Sequence, residues 1–171
     1  MNCPPEVINF YFNGFNRMKN DAIPFLNSLI GPPSVIQLTV LQDLYLTVKT
    51  GRKVFLIVAN THLFFHSQHT HTRLVQTKVM HDMVVAAEAG LKDFYKDCVV
   101  LKVVAGDLNT KPKNAVVRFL EGGSVASDDI EWFSMGRDQY LPGFGNLKPG
   151  FKLKSAIDFE KVKYTTYEWF G

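Results

Sequence analysis

Two apolar runs, Val54 to Ala59 and Val99 to Ala105, stand out in the pattern of the chain, and each stops abruptly at polar residues. The first gives way to Asn60-Thr61-His62-Leu63 and the second to Gly106-Asp107-Leu108-Asn109. Runs of this kind read as strands buried on both faces, and in layered α/β proteins ligands gather where such strands end. Two polar motifs at two strand ends suggest one shared site.

Around these runs the pattern predicts further elements. Val35, Ile36, Leu38, Val40 and Leu41 make one strand, Leu44 to Val48 another, with Thr50-Gly51 as a hairpin-like turn before the Val54 run. Between His71 and Lys96 the period becomes helical: Val75, Val79, Met83 and Ala86 form one stripe, and Met80, Val84, Ala87 and Leu91 a second beside it. A short helix from about Asn114 to Leu120 is closed by Gly122-Gly123. Residues Val7 to Ile30 mix aromatic and polar positions interrupted by Gly14 and Pro24, which allows at best two short helices, and Gly31-Pro32-Pro33 ends them. From Ser124 onward the chain is loop-rich and aromatic. The organisation is thus an N-terminal helical or loop segment, 1–33, followed by one domain or part of one, 34–171.

Composition narrows this picture only a little. A chain of 171 residues, 46% of them hydrophobic, suits one ordinary globular domain. A net charge of +3 permits a phosphate-bearing partner without requiring one. Cys3 and Cys98 lie far apart, so neither a disulfide framework nor a structural zinc site is indicated. No stretch reaches the roughly 18 apolar residues of a membrane span, and Pro4, Pro5 and Glu6 stand where a signal peptide needs a basic and then an apolar segment.

The candidate chemistry lies in the two polar motifs. If the extended backbone persists past Ala105, Asp107 and Asn109 point to the same side and put a carboxylate and an amide before one cavity. Phosphodiester hydrolysis needs a group that orients and deprotonates water, donors for the phosphoryl oxygens, and usually a hard cation held by carboxylates. Asp107 suits the first role and Asn109 the second, although Gly-Asp-Leu-Asn is equally an ordinary polar turn after a strand. His62 is either a phosphate contact or a hydrogen-bonded histidine at a strand end. His62, His66, His69 and His71 crowd one loop, but their spacing matches neither a helical HExxH nor a Cys/His finger. Arg73 is placed to pair with a carboxylate or phosphate, or to lie exposed near a helix start.

At these residues the chain resembles the endonuclease/exonuclease/phosphatase superfamily, and within it the 2′,5′-phosphodiesterase branch related to the poly(A) deadenylases. The resemblance runs through Val35 to Gln42, Asn60-Thr61-His62 with Arg73-Leu74-Val75-Gln76, Gly106-Asp107-Leu108-Asn109, Gly123-Ser124 with Trp132, Phe151 to Ala156, and Tyr164 to Tyr167. It implies part of a four-layer α/β sandwich and magnesium-dependent hydrolysis of RNA phosphodiester bonds, in 3′ adenylate tails or 2′,5′-linked oligoadenylates. By the same resemblance Asp107 activates water, Asn109 steadies the phosphate, His62 lies near the phosphoryl oxygens, Asn60 supports the site and Phe170 offers a ring to a base. The blocks around Arg73 and Phe151 favour RNA over DNA-repair or lipid-phosphatase activity.

The departures from the family pattern carry their own expectations. The metal-binding glutamate that follows a Leu-Gln pair on an earlier strand has no counterpart among the first 33 residues, and Leu41-Gln42-Asp43 imitates it in the wrong order. The aspartate of an Asp-Tyr-Ile-like strand and a final Ser-Asp-His are also missing. The expectation is a domain without its N- and C-terminal portions, with no metal ligand assigned and weak or no activity. The alternative is an inactive remnant that binds RNA or a partner, its exposed edges open to self-association. The branch implies a mitochondrial matrix location; the lack of an Arg-rich, Ser-rich presequence points to the cytoplasm instead.

Overall fold

The structure is a computed structural model that describes residues 35–133 and 146–156. Its centre is a three-stranded mixed sheet in the order β1-β2-β3. Strand β1 (Ile36–Asp43) runs antiparallel to β2 (Lys53–His62), and β2 runs parallel to β3 (Cys98–Asp107). Parallel neighbours need a crossover connection, and here it is the 25-residue helix α2 (Thr70–Phe94). The helical period read between His71 and Lys96 corresponds to this element.

The segment between β1 and β2 corrects the sequence reading. Leu44 to Val48, expected as a strand, belongs to helix α1 (Leu44–Thr50). Local capping overrides the β-prone composition: the Asp43 carboxylate accepts the Leu46 N–H at 2.8 Å, and Gly51 at φ 69° closes the helix with its N–H on Thr47 O at 3.0 Å. Gly51 is therefore a helix cap and not a hairpin turn. The Thr47 hydroxyl then accepts the Val54 N–H at 3.0 Å and fixes where β2 begins.

Alternation assigns the two faces of the sheet. Phe55, Ile57, Ala59 and Thr61 of β2 share one face, and Ile57 and Ala59 there have no exposed surface. They pack with Leu74, Met80, Val84, Ala87 and Leu91 of α2, and Ile36, Leu38, Val40, Val100 and Val104 adjoin this core. Of the two stripes expected on α2, the one through Met80, Val84, Ala87 and Leu91 is buried, whereas Val79, Met83 and Ala86 of the other are half-buried. The short helix α3 (Ala115–Leu120), with Asn114 as its N-cap, adds Val116 and Phe119 to the same core. Segment 146–156 is tied in by an antiparallel bridge between Val125 and Leu147 and by the Leu153 N–H on Leu120 O at 2.9 Å.

The opposite face differs from the sequence reading, which has both faces buried. Leu41 on β1 and Leu101 and Val103 on β3 are exposed there, at 50%, 47% and 43%. The described residues thus form an α/β unit whose core lies on one side of its sheet, compatible with part of a larger α/β domain. No helix among them is long and apolar enough to cross a membrane. The helices expected before Pro33, together with Cys3, Phe170 and the Tyr164 to Tyr167 block, lie outside the described residues.

Candidate active site at two strand ends

Parallel pairing brings the two polar motifs together. His62 and Asp107 are the last residues of β2 and β3 and stand as register partners. His62 Nε2 lies 3.9 Å from Asp107 Oδ2, with 70% and 57% of the side chains exposed. Asn60, two residues before His62, shares its face by alternation and is exposed. All three project from the open face, at the end of the sheet where the parallel strands finish.

Gly106 makes this approach possible. At φ 117°, a Cβ there would lie 1.9 Å from Thr61 O and 3.0 Å from Asn60 Oδ1, so any side chain would push β3 away from β2. The ladder then continues one step past the strands, with the Leu63 N–H on Asp107 O at 2.9 Å.

Beyond Asp107 the extended backbone does not persist, contrary to the condition under which Asp107 and Asn109 would point alike. Asn109 is left-handed, at φ 46°, a conformation that asparagine tolerates better than most residues. Its N–H donates to Asp107 Oδ1 at 2.9 Å and its side-chain Nδ2 donates to Leu63 O at 2.8 Å. The first bond fixes the carboxylate, so that Oδ2 faces His62. The second ties the end of β3 to the end of β2. In this arrangement the Asn109 amide orients Asp107 and joins the strand ends.

Arg73 is placed differently from either sequence reading, being 3% exposed. Its Nη1 donates to Phe64 O at 3.1 Å and His66 O at 2.7 Å, and its Nη2 to Ser67 O at 3.3 Å. The guanidinium holds the loop that leaves the site, and burial lowers its pKa while Glu131 offsets part of that. Gln76, one turn further along α2, accepts the Phe64 N–H at 3.0 Å through Oε1. Glu131 accepts the Ala115 N–H at 2.6 Å, and burial raises its pKa despite that bond. Sequence reasoning gave Gln76 and Glu131 no role. For Gln76 the available signal is its spacing of three from Arg73 on one helix face.

The histidines divide into two groups. His62 stands with Asp107, whereas His66, His69 and His71 form a ring cluster with centroids 4.7 and 5.5 Å apart in sequence order. Burial, a neighbouring imidazole and Arg73 lower the pKa of both His69 and His71. No group of three or more His, Cys, Asp or Glu among the described residues is arranged to hold a metal ion.

Comparison with known proteins adds an independent line. No family model matches the chain. It is 34% identical to the Mus musculus protein named 2′,5′-phosphodiesterase 12 over 136 residues, which are 78% of this chain and 20% of that protein. It is 31% identical over 134 residues to the Homo sapiens protein of the same name, again 78% and 20% of the two chains. It is 25% identical over 153 residues to the Danio rerio protein named CCR4-NOT transcription complex subunit 6-like, with 78% of this chain and 27% of that one covered. The chain spans about a fifth of the length of the phosphodiesterases it matches. Similarity to these named proteins supports the resemblance to the endonuclease/exonuclease/phosphatase superfamily that the Asn-Thr-His and Gly-Asp-Leu-Asn motifs carry.

Proposed function

We propose that this chain acts on RNA phosphodiester bonds, in 3′ adenylate tails or 2′,5′-linked oligoadenylates, with Asp107 as the group that takes the proton of the attacking water. The observation that carries the reading is the 3.9 Å pairing of His62 with Asp107 at adjacent parallel strand ends. Asp107 Oδ1 is occupied by the Asn109 N–H, which leaves Oδ2 aimed at the space beside His62. A water held there gives its proton to Oδ2 as its oxygen bonds to phosphorus, and the bond from phosphorus to the leaving ribose oxygen breaks, that oxygen taking a proton from solvent. His62 contributes a ring N–H to a phosphoryl oxygen, where negative charge grows. Asn60 borders the same space.

The resemblance adds magnesium, whose chemistry would be to neutralise phosphoryl charge. The described residues do not by themselves complete a site for it: Asp107 is the one carboxylate at this strand end, where oxygen donors usually come as one or two carboxylates with waters and substrate phosphates. No step here passes through the ion, and the expected turnover is weak. The matrix or cytoplasmic setting belongs to the same proposal. A second reading, binding of RNA or a partner without turnover, is favoured by the open sheet face with Leu41, Leu101 and Val103 exposed.

Hydrolysis of oligoadenylate by the purified chain, with magnesium and with EDTA, tests the first reading. Asp107→Ala should cut the rate by about 10²- to 10⁴-fold. It should leave thermal unfolding almost unchanged, because the side chain is 57% exposed. Turnover no higher than a buffer control, or untouched by Asp107→Ala, overturns the hydrolytic reading and leaves the second.

A further inference from the structure

The loop between β2 and α2 begins one residue after His62, and nothing in the catalytic reading uses it. It carries Phe64, Phe65, His66 and His69 in one aromatic cluster. Phe64 lies 5.4 Å from Phe65, 6.4 Å from His66 with the rings nearly parallel, and 5.0 Å edge-on from His69. Phe65 is 69% exposed, an unusual state for so large an apolar ring.

Two further observations distinguish this cluster from a loose surface loop. Its backbone is pinned on both sides, by Arg73 and Gln76 of α2 and by the Asn109 side chain on Leu63 O. The backbone that carries the rings is therefore held in place before any ligand arrives, which lowers the ordering cost of binding. In addition, His66 Nδ1 accepts the Gln68 N–H at 3.3 Å, which ties the ring to its own loop. Flat aromatic faces suit a base better than a phosphate.

We propose that Phe65, backed by the Phe64–His66–His69 cluster, is a stacking platform for one base of the RNA strand whose phosphate lies at His62 and Asp107. The inference rests on the reading of that site as an RNA phosphodiester site. Distance agrees: three residues of extended chain reach at most about 10 Å, so the platform lies within reach of the nucleotide beside the reacting phosphate. Base–aromatic stacking tolerates any base, so the platform would add affinity and position with little sequence preference.

The test uses a short oligoadenylate containing 2-aminopurine, titrated with the chain in EDTA so that binding is read without turnover. Phe65→Ala should raise Kd about 5- to 150-fold, the range of one base stack. Phe65→Trp should restore binding. Phe94→Ala, which removes another exposed ring at the far end of α2, should leave it unchanged. An abasic site in place of the stacked base should remove the difference between Phe65→Ala and the parent chain. The proposal falls if Phe65→Ala binds like the parent, if it loses as much on the abasic strand, or if the parent does not bind at all. Binding through Phe65 without hydrolysis would sink the catalytic reading and leave the platform. Hydrolysis with Kd insensitive to Phe65 would do the reverse.

Discussion

Ile57 and Leu101 sit on adjacent strands of one sheet and face opposite ways; the first has no exposed surface and the second is 47% exposed. The face of Ile57 is covered by α2 and α3 and carries the apolar core. The face of Leu101 carries Asn60, His62 and Asp107 at one end and unburied Leu41 and Val103 nearby. The apolar core and the candidate site are therefore on opposite sides of the same three strands. The exposed residues of the open face can change with little effect on folding, whereas the buried ones of the packed face cannot.

The largest effect expected from this contrast is that of Ile57→Ala. Removing a fully buried aliphatic group costs its transfer free energy and leaves a cavity, together about 2 to 5 kcal/mol. Urea denaturation should show a lower midpoint at an unchanged slope. A cost below about 1 kcal/mol would mean that the α2 face is not the stabilising side, and the contrast would collapse.

How far each face was legible in the sequence follows from what set it. The runs Val54 to Ala59 and Val99 to Ala105 announced β2 and β3, and the 3.6-residue period announced α2, because runs and periods of apolar residues are written in side-chain identity. That the two polar motifs meet at one end of the sheet was legible too, since a helix between two apolar runs makes them parallel neighbours. Helix α1 was not, because a single Asp43 cap and Gly51 decide it against a β-prone run. The occupation of Arg73 was not legible either, since its hydrogen bonds go to the carbonyls of Phe64, His66 and Ser67, and carbonyls leave no trace in side-chain identity. Left-handed Asn109 was hidden for a related reason: the strand period holds only as far as the ladder, which ends at Asp107 and Leu63.

A smaller effect separates the two histidine groups by pH. His69 and His71 have their pKa values lowered from the ordinary 6.5, chiefly by burial. The unfolded chain therefore binds protons that the folded chain resists, and stability rises with pH across that window. It is fully present above about 6.5 and is lost as pH falls through the folded values. Glu131, raised from 4.5, has the opposite sign and loses stability as pH rises through its own window. Asp82 and Glu88, lowered by Lys78, His81, Lys92 and Lys102 against the effect of burial, add their losses only near the carboxylate range. Thermal melts between pH 7.5 and 5.5 should show a fall that His69→Gln with His71→Gln flattens. An unchanged slope in that double variant would remove the cluster from the packed side's contribution.

The smallest expected effect is the most informative about the open face. Leu101 is paired in register with Leu56, and by exposure it has given up only about half its surface to the fold. Leu101→Ala should therefore cost well under the Ile57→Ala value, about 1 kcal/mol or less, because the transfer term scales with area removed from water and an exposed site leaves no cavity. Measured at several chain concentrations, that small cost should not change. A cost that approaches that of Ile57→Ala and grows with concentration would mean that Leu41, Leu101 and Val103 are covered in solution by a second copy of the chain. His62 and Asp107, at the end of that same face, would then lie at the margin of an interface.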